Sequence, residues 1–267
     1  MAEVDSGTIA FAHRLADTAG AVIRPYFRQR IDIADKRPIL DGKPVFDPVT
    51  EADKNAETAI RAVIDRERPA DGILGEEHGE KTGSNGLRWV LDPVDGTRAF
   101  IAGRLEWGSL IALEKNERPI LGIIDQPYIG ERYIGANGRT EMHAGAVVST
   151  LKTRTGTKIS EAILCATHPD AFFAEGERPA FRRVERAVRM TRWGGDCYIF
   201  GMLALGFVDL IVETTLHRWD VAALIPVVEG AGGIITNWQG GDCSAGGQVL
   251  AAGDAQLHAA AMNLLAG

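Results

Sequence analysis

Long apolar runs are missing from these 267 residues. None approaches the roughly 20 residues that a membrane span requires, and the first residues lack the basic start, apolar stretch and small-residue cleavage site of a secretory signal. Cysteine is scarce. Cys165, Cys197 and Cys243 are odd in number, scattered and without a CxxC pair, which argues against a disulfide framework or a zinc knuckle and fits a reducing cytoplasm. An excess of positive charge is missing too: 29 Lys and Arg against 36 Asp and Glu leave a formal charge of −7. A nucleic-acid backbone needs a basic face, so it is disfavoured as the main partner, whereas an anionic substrate held through a cation is not. No internal repeat or low-complexity tract interrupts the chain.

What is present is a sequence of amphipathic segments long enough for one large or two modest domains. Apolar residues recur at helical spacing over 6–30, with Ser6 as N-cap, and again over 51–68, where Thr50 caps the helix and Asp53 falls in the first turn. Between them, 31–49 is rich in Pro, Asp, Gly and Lys and reads as a loop with short strands; Lys43 lies within it. Strands are predicted at 73–77, from Trp89 to Asp92, and at 109–114, 120–125 and 131–135, with Lys115-Asn116-Glu117 as a hairpin turn. The first half then reads as helices on an antiparallel sheet. The Gly, Thr and Ser-rich stretch 136–159 marks a boundary between an N-terminal half, 1–145, and a C-terminal half, 146–267. Beyond it, strands at 162–167, 208–213, 234–237 and 248–251 alternate with helices at 178–190, 198–205, 221–231 and 254–265, an α/β layer.

The chemistry concentrates in Trp89-Val90-Leu91-Asp92-Pro93-Val94-Asp95-Gly96-Thr97. An apolar strand surfaces at Asp92, and Pro93 cannot continue its ladder. Asp95 follows in the turn. Two carboxylates this close repel unless a cation sits between them, and hard ions such as Mg²⁺ take oxygen ligands. Gly96 and Thr97 then open a helix whose first backbone N–H groups favour an anion. Taken singly, each acid has an ordinary explanation: Asp53 and Asp220 as helix-start acids, Glu76 and Glu77 as solvated loop residues, Asp-Pro and Asp-Gly as turn chemistry. Their agreement is what those explanations leave out, because apolar runs lead each of them to the rim of a sheet.

Four separated blocks, Val49-Thr50-Glu51-Ala52-Asp53, Gly75-Glu76-Glu77, residues 89–97 and Trp219-Asp220, resemble in order and spacing the motifs of the inositol monophosphatase family, Mg²⁺-dependent and lithium-sensitive phosphatases. The resemblance implies an α+β layered α-β-α-β-α sandwich, a homodimer, and up to three Mg²⁺ ions per site. It places Glu76, Asp92 and the Val94 carbonyl around one ion and Asp92, Asp95 and Asp220 around a second, with a weaker third near Glu76. Thr97, oriented by Asp53, takes part in activating water on the Glu76 side. The Gly96 and Thr97 amides grip the phosphate, Lys43 matches a family lysine near the site, and Glu77 tunes the ligands from behind.

The same resemblance puts the leaving-group side at Trp193-Gly194-Gly195-Asp196 and Glu213, with Asp95 also in reach. Two acids there suit a polyol or, better, a cation, and would repel a second phosphate. Thr97-Arg98-Ala99-Phe100, Ile124-Asp125-Gln126-Pro127, Gly130-Glu131-Arg132 and Gly194-Gly195-Asp196-Cys197-Tyr198 look like the histidinol-phosphatase branch, so L-histidinol phosphate is the expected substrate. The alternatives are an inositol-1-phosphate or broad-specificity monophosphatase and, in another class, a regulatory scaffold on nucleic-acid machinery. Asp196 as a cap of the next helix and Glu213 as a strand-end acid are the structural counter-readings. Arg192, beside Trp193, is expected near the substrate or across a dimer interface. The other arginines of 178–189 read as a solvated helix face, Tyr198 and Trp193 as core aromatics, and His217 as a surface residue.

Overall fold

A computed structural model describes residues 3–36, 39, 40, 42–44 and 46–267, without the side chains of 43, 44, 169 and 171. Its helices are α1 (Ser6–Ile23), α2 (Glu51–Glu67), α3 (Thr97–Ile101), α4 (Pro169–Phe172), α5 (Arg178–Ala187), α6 (Tyr198–Ala204), α7 (Arg218–Val221), α8 (Leu224–Gly230) and α9 (Ala255–Ala266). The strands are β1 (Ile33–Asp35), β2 (Ile39–Leu40), β3 (Lys43–Pro44), β4 (Pro48–Thr50), β5 (Gly72–Gly75), β6 (Gly79–Lys81), β7 (Leu87–Asp95), β8 (Gly108–Lys115), β9 (Arg118–Gln126), β10 (Glu131–Ala136), β11 (Arg139–Ala144) and β12 (Val147–Thr150). The second half adds β13 (Ile163–Ala166), β14 (Met190–Trp193), β15 (Leu210–Leu216), β16 (Ile234–Thr236) and β17 (Gly247–Ala252).

An eight-stranded sheet runs β12-β11-β10-β9-β8-β7-β5-β6, antiparallel except where β5 lies parallel to β7. A five-stranded mixed sheet runs β14-β13-β15-β17-β16, with β13 parallel to both neighbours. Alternation along the strands separates the layers. Trp89, Leu91, Ile111 and Leu113 pack with α1 and α2 on one face of the large sheet. Val90, Leu110 and Ala112 face the other way, onto α6 and α8, which also cover Cys165, Ile211 and Val249 of the smaller sheet. The far side of that sheet, Leu164, Leu210, Val212 and Leu250, packs on α5 and α9. The order is therefore α-β-α-β-α, as expected. It also decides where the polar residues go: Arg88 and Asp92, in phase with Val90, Glu114, in phase with Ala112, and Glu213, in phase with Ile211, all face the middle layer.

Several boundaries differ from the sequence reading. Asp5, not Ser6, caps α1, its carboxylate accepting the Thr8 N–H at 2.8 Å, and the helix stops at Ile23 rather than continuing to residue 30. β5 ends at Gly75, so Glu76 and Glu77 follow the strand. The pairing of β7 passes through Pro93 to Asp95 with an irregularity between Asp92 and Asp95, where Pro93 offers no N–H and its carbonyl instead accepts the Ser109 hydroxyl at 2.6 Å. The 136–159 stretch holds β11 and β12, which extend the first sheet past residue 145 to Thr150. The helix at 178 ends at Ala187 because Met190–Trp193 finds backbone partners as an edge strand beside β13. The helix expected over 221–231 is broken into α7 and α8, since Pro226 cannot donate to the carbonyl four residues before it.

Candidate active site

Three aspartates meet where the large sheet ends against the middle layer. Carboxylate oxygens of Asp92, Asp95 and Asp220 lie within 4.8 Å of one another. Each is held by backbone. Asp92 accepts the Val94 N–H at 3.1 Å, and Asp95 accepts the Cys197 N–H at 2.6 Å, a bond that joins β7 to the start of α6 across the two halves. Asp220 accepts the His217 N–H at 2.6 Å, closing a capping box around α7. Burial, and then the charges of Glu76, Asp95 and Asp220, hold Asp92 well above the usual carboxylate range; burial and Asp95 do the same to Asp220, and burial lifts Asp95 to about 6. Among the described residues none of the three carries an ion pair. Crowded oxygen donors without a counter-charge are the donor set a hard divalent cation fits.

The cluster opens into a cavity of about 460 Å³, lined on the first-half side by Glu76, Val94, Gly96, Thr97 and Arg98. Gly96 adopts φ +82°, a left-handed conformation that turns the chain from β7 into α3. Thr97 donates its hydroxyl to the Val94 carbonyl at 3.0 Å and reaches Asp53 only at 3.5 Å. Asp53 is engaged chiefly with its own helix: its Oδ2 accepts the Thr50 N–H at 3.0 Å and the Thr50 hydroxyl at 2.5 Å. Burial raises Asp53 to about 6.

The turn that follows Glu76 is held by a residue the sequence did not single out. Glu57, one turn along α2 from Asp53 and fully buried, accepts the Glu77 N–H at 2.8 Å, the His78 N–H at 3.2 Å and the Arg61 Nε–H at 2.7 Å. Gly75 permits this, since any Cβ there would overlap the Glu57 carboxylate. Lys36 was missed as well. Its ammonium donates to Glu76 at 2.7 Å and Glu77 at 2.6 Å, and those acids raise its pKa against the opposing effect of burial. The signals available were an acid four residues after Asp53 and four before Arg61, and a second lysine in the loop of Lys43. Lys43 itself forms backbone of β3; its side chain lies outside the described residues.

The opposite wall belongs to the second half: Thr167, Phe172, Asp196, Cys197 and Glu213. Asp196, at φ +41°, does not cap the following helix, whose N-cap is Cys197 without a side-chain bond. Burial, then Asp95 and Glu213, hold Asp196 well above the usual carboxylate range. Glu213 accepts the Thr167 N–H at 2.5 Å and its hydroxyl at 2.9 Å, and burial lifts it to about 8. The Arg98 guanidinium lies over the Phe172 ring, 4.4 Å from its centre, and donates to the Phe46 carbonyl, bridging the two walls. Arg192 is exposed on edge strand β14 and, like Trp193, does not line this cavity. Tyr198 also lies outside it and donates its hydroxyl to Glu131 at 2.7 Å.

An α-β-α-β-α frame with an acid-lined cleft at the junction of its two sheets fits the layered phosphatases, whose chemistry such an oxygen-rich cluster could serve by holding a divalent cation. The chain belongs to the inositol monophosphatase family, whose pattern it matches over residues 5–266. It is 43% identical to the bifunctional phosphatase IMPL2, chloroplastic, of Arabidopsis thaliana, over 96% of this chain and 74% of that one. It is 34% identical to a histidinol-phosphatase of Mycobacterium tuberculosis over 91% of this chain and 92% of that one. Among solved structures, an inositol monophosphatase from Zymomonas mobilis superposes with TM-score 0.84 at 42% identity, covering 97% of both chains. No helix among the described residues is long and apolar enough to cross a membrane.

Proposed function

We propose that this enzyme hydrolyses L-histidinol phosphate to L-histidinol, a step of histidine biosynthesis, with Mg²⁺ as its cofactor. What carries the substrate assignment is a pair of acids, the half-buried Asp196 and the buried Glu213, that share the cavity of the aspartate cluster and face it from the second half. An alcohol bearing an ammonium and an imidazole supplies the positive charge these acids lack, through charge-assisted hydrogen bonds. Relatives described as histidinol-phosphatases support the same direction. Asp92, Asp95 and Asp220 would hold one Mg²⁺, Glu76 with Asp92 and the Val94 carbonyl a second, and the surroundings of Glu76 a third. When bound, such ions supply positive charge for the phosphoryl oxygens and make water more acidic. The chain's own part is orientation: Gly96 and Thr97 offer N–H groups to the phosphate, while the Thr97 hydroxyl, between the Val94 carbonyl and Asp53, orders the attacking side.

The test is a kcat/KM panel with Mg²⁺ over histidinol phosphate, inositol-1-phosphate and a small neutral ester. Histidinol phosphate is expected to lead, and Asp196→Ala to raise KM for it far more than for the neutral ester. Equal rates on inositol-1-phosphate would make the enzyme a broad monophosphatase, the reading that inositol-1-monophosphatase relatives favour.

A further inference from the structure

Asp220 rides on a helix of only 4 residues, too short to hold itself in register with β7. Two residues earlier, Arg218 reaches in three directions. Its Nε donates to the Ser244 carbonyl at 3.3 Å and lies 3.3 Å from Glu114 Oε1, and its Nη2 donates to the Glu117 carbonyl at 3.1 Å. Glu114, on β8, is fully buried. Its other oxygen accepts both Nε–H and Nη2–H of Arg88, at 3.0 and 2.7 Å, and Arg88 is its direct partner across the β7–β8 ladder. Arg88 and Asp92 lie on the same face of β7, two pleats apart. Among the described residues Oε1 accepts no hydrogen bond, and the Arg218 guanidinium faces it. One buried carboxylate thus joins the strand of Asp92 and Asp95 to the helix of Asp220.

We propose that the Glu114–Arg218 pair is a positioning device that fixes Asp220 against Asp92 and Asp95 and so sets the affinity of that cluster for its divalent cation. The proposal rests on the metal-dependent reading of the cluster. A buried carboxylate facing two guanidiniums is expensive to keep unless it is well paired, and here its position explains the arrangement: the first sheet and the α7 segment have no shared strand, and the pair is a charged link between them. Arg218 further ties α7 to the 243–246 turn, whose Gly246 lies so close to the Leu216 and His217 backbone that a Cβ could not be accommodated.

Mn²⁺ serves as the probe, titrated calorimetrically into the full chain stripped of metal. Arg218→Met is expected to weaken Mn²⁺ binding about 10-fold, as for loss of a supporting group behind a metal ligand. The Mn²⁺ concentration for half-maximal phosphatase rate should shift by the same factor, with the KM for p-nitrophenyl phosphate at saturating Mn²⁺ unmoved. Arg218→Lys, which keeps a charge beside Glu114 but not the three-way reach, should fall between; it also serves if Arg218→Met does not fold. Arg154→Met is the control: it breaks another ion pair to a fully buried acid, Asp209, outside the cavity, and should lower Tm without moving Mn²⁺ affinity. If Arg218→Met and Arg218→Lys lower Tm as Arg154→Met does while Mn²⁺ affinity stays at the wild-type value, the positioning role is wrong and the metal site stands, provided Asp220→Asn loses Mn²⁺. If Asp220→Asn binds Mn²⁺ as wild type does, the metal reading of the cluster falls and the positioning role with it.

Discussion

Replacing Glu213 by Gln separates what the fold wants at this position from what the substrate wants. The side chain is buried, with 3% of its surface exposed, and Thr167 offers it both an N–H and a hydroxyl. Burial outweighs those donors and lifts its pKa from 4.5 to about 8. A carboxyl whose folded pKa is raised keeps its proton in the fold after the unfolded chain has released its own, so stability falls as pH rises from about 4.5 to about 8 and is level above that. At about 1.4 kcal/mol per pH unit the ceiling on this loss is about 5 kcal/mol. Glutamine matches the protonated acid in shape and can still accept from Thr167. In chelator-treated protein, Glu213→Gln should therefore change stability by less than about 1 kcal/mol at pH 5. At pH 9 it should stabilise, by an amount approaching but not exceeding that ceiling. Urea denaturation at the two pH values gives the difference directly. Function should move the opposite way. A bound cation demands the ionised acid, so wild-type kcat/KM for histidinol phosphate should fall as pH drops below about 8, with that component absent in the variant. Loss of a charge-assisted bond worth about 1.5 to 3 kcal/mol corresponds to an about 10- to 150-fold lower kcat/KM for the cationic ester. A variant equally stabilised at pH 5 and pH 9 would refute the burial argument. An equal loss on a neutral ester would show that Glu213 does not read the cation.

Two further perturbations concern the Glu76 turn. Lys36→Met removes the ammonium shared by Glu76 and Glu77; cation affinity measured by Mg²⁺ dependence of the rate should tighten, and an unchanged or weakened dependence would mean that Lys36 does not compete for Glu76. Glu57→Gln leaves an amide NH₂ confronting either the Glu77 and His78 N–H groups or Arg61. It should destabilise by about 1 to 3 kcal/mol in chemical denaturation and raise the Mg²⁺ requirement, because a buried donor loses its acceptor.

The parts of the site legible in the sequence are those whose position follows from local pattern. Asp92 surfaces from an apolar run, Thr50 and Asp53 form the capping box that their spacing announces, and the alternation around Val90 and Ile211 carries Asp92 and Glu213 to one layer. The illegible parts depend on long-range pairing. Nothing local marks Lys36 as a lysine that reaches Glu76. Glu57 looks like any polar residue on an amphipathic helix until Gly75 is folded onto it. The helical pattern that starts at Arg178 runs on to Met190, but Met190 to Trp193 forms a strand because the edge of β13 is open to it, which places Arg192 on an exposed edge. The α7–α8 break could have been read from Pro226.

The stability of the metal-free chain and its appetite for a cation are two expressions of the same electrostatics. Asp92, Asp95, Asp196, Glu213 and Asp220 are all held above the ordinary carboxylate range, with burial the first cause in each. Every such group makes the fold less stable as pH rises through the interval between its unfolded and folded pKa, so the empty cleft is weakest where the acids are ionised. A ligand that binds only the fold and requires those ionised acids recovers that free energy on binding. The division of labour follows from where the acids sit. Asp92, Asp95 and Asp220 crowd within reach of one ion, whereas Asp196 and Glu213 line another wall of the cavity, where, under the proposed function, a positively charged leaving group rather than a resident metal would offset them. On this reading the first sheet with α7 sets the reaction, and the wall built from β13, β15 and the turn before α6 sets the substrate.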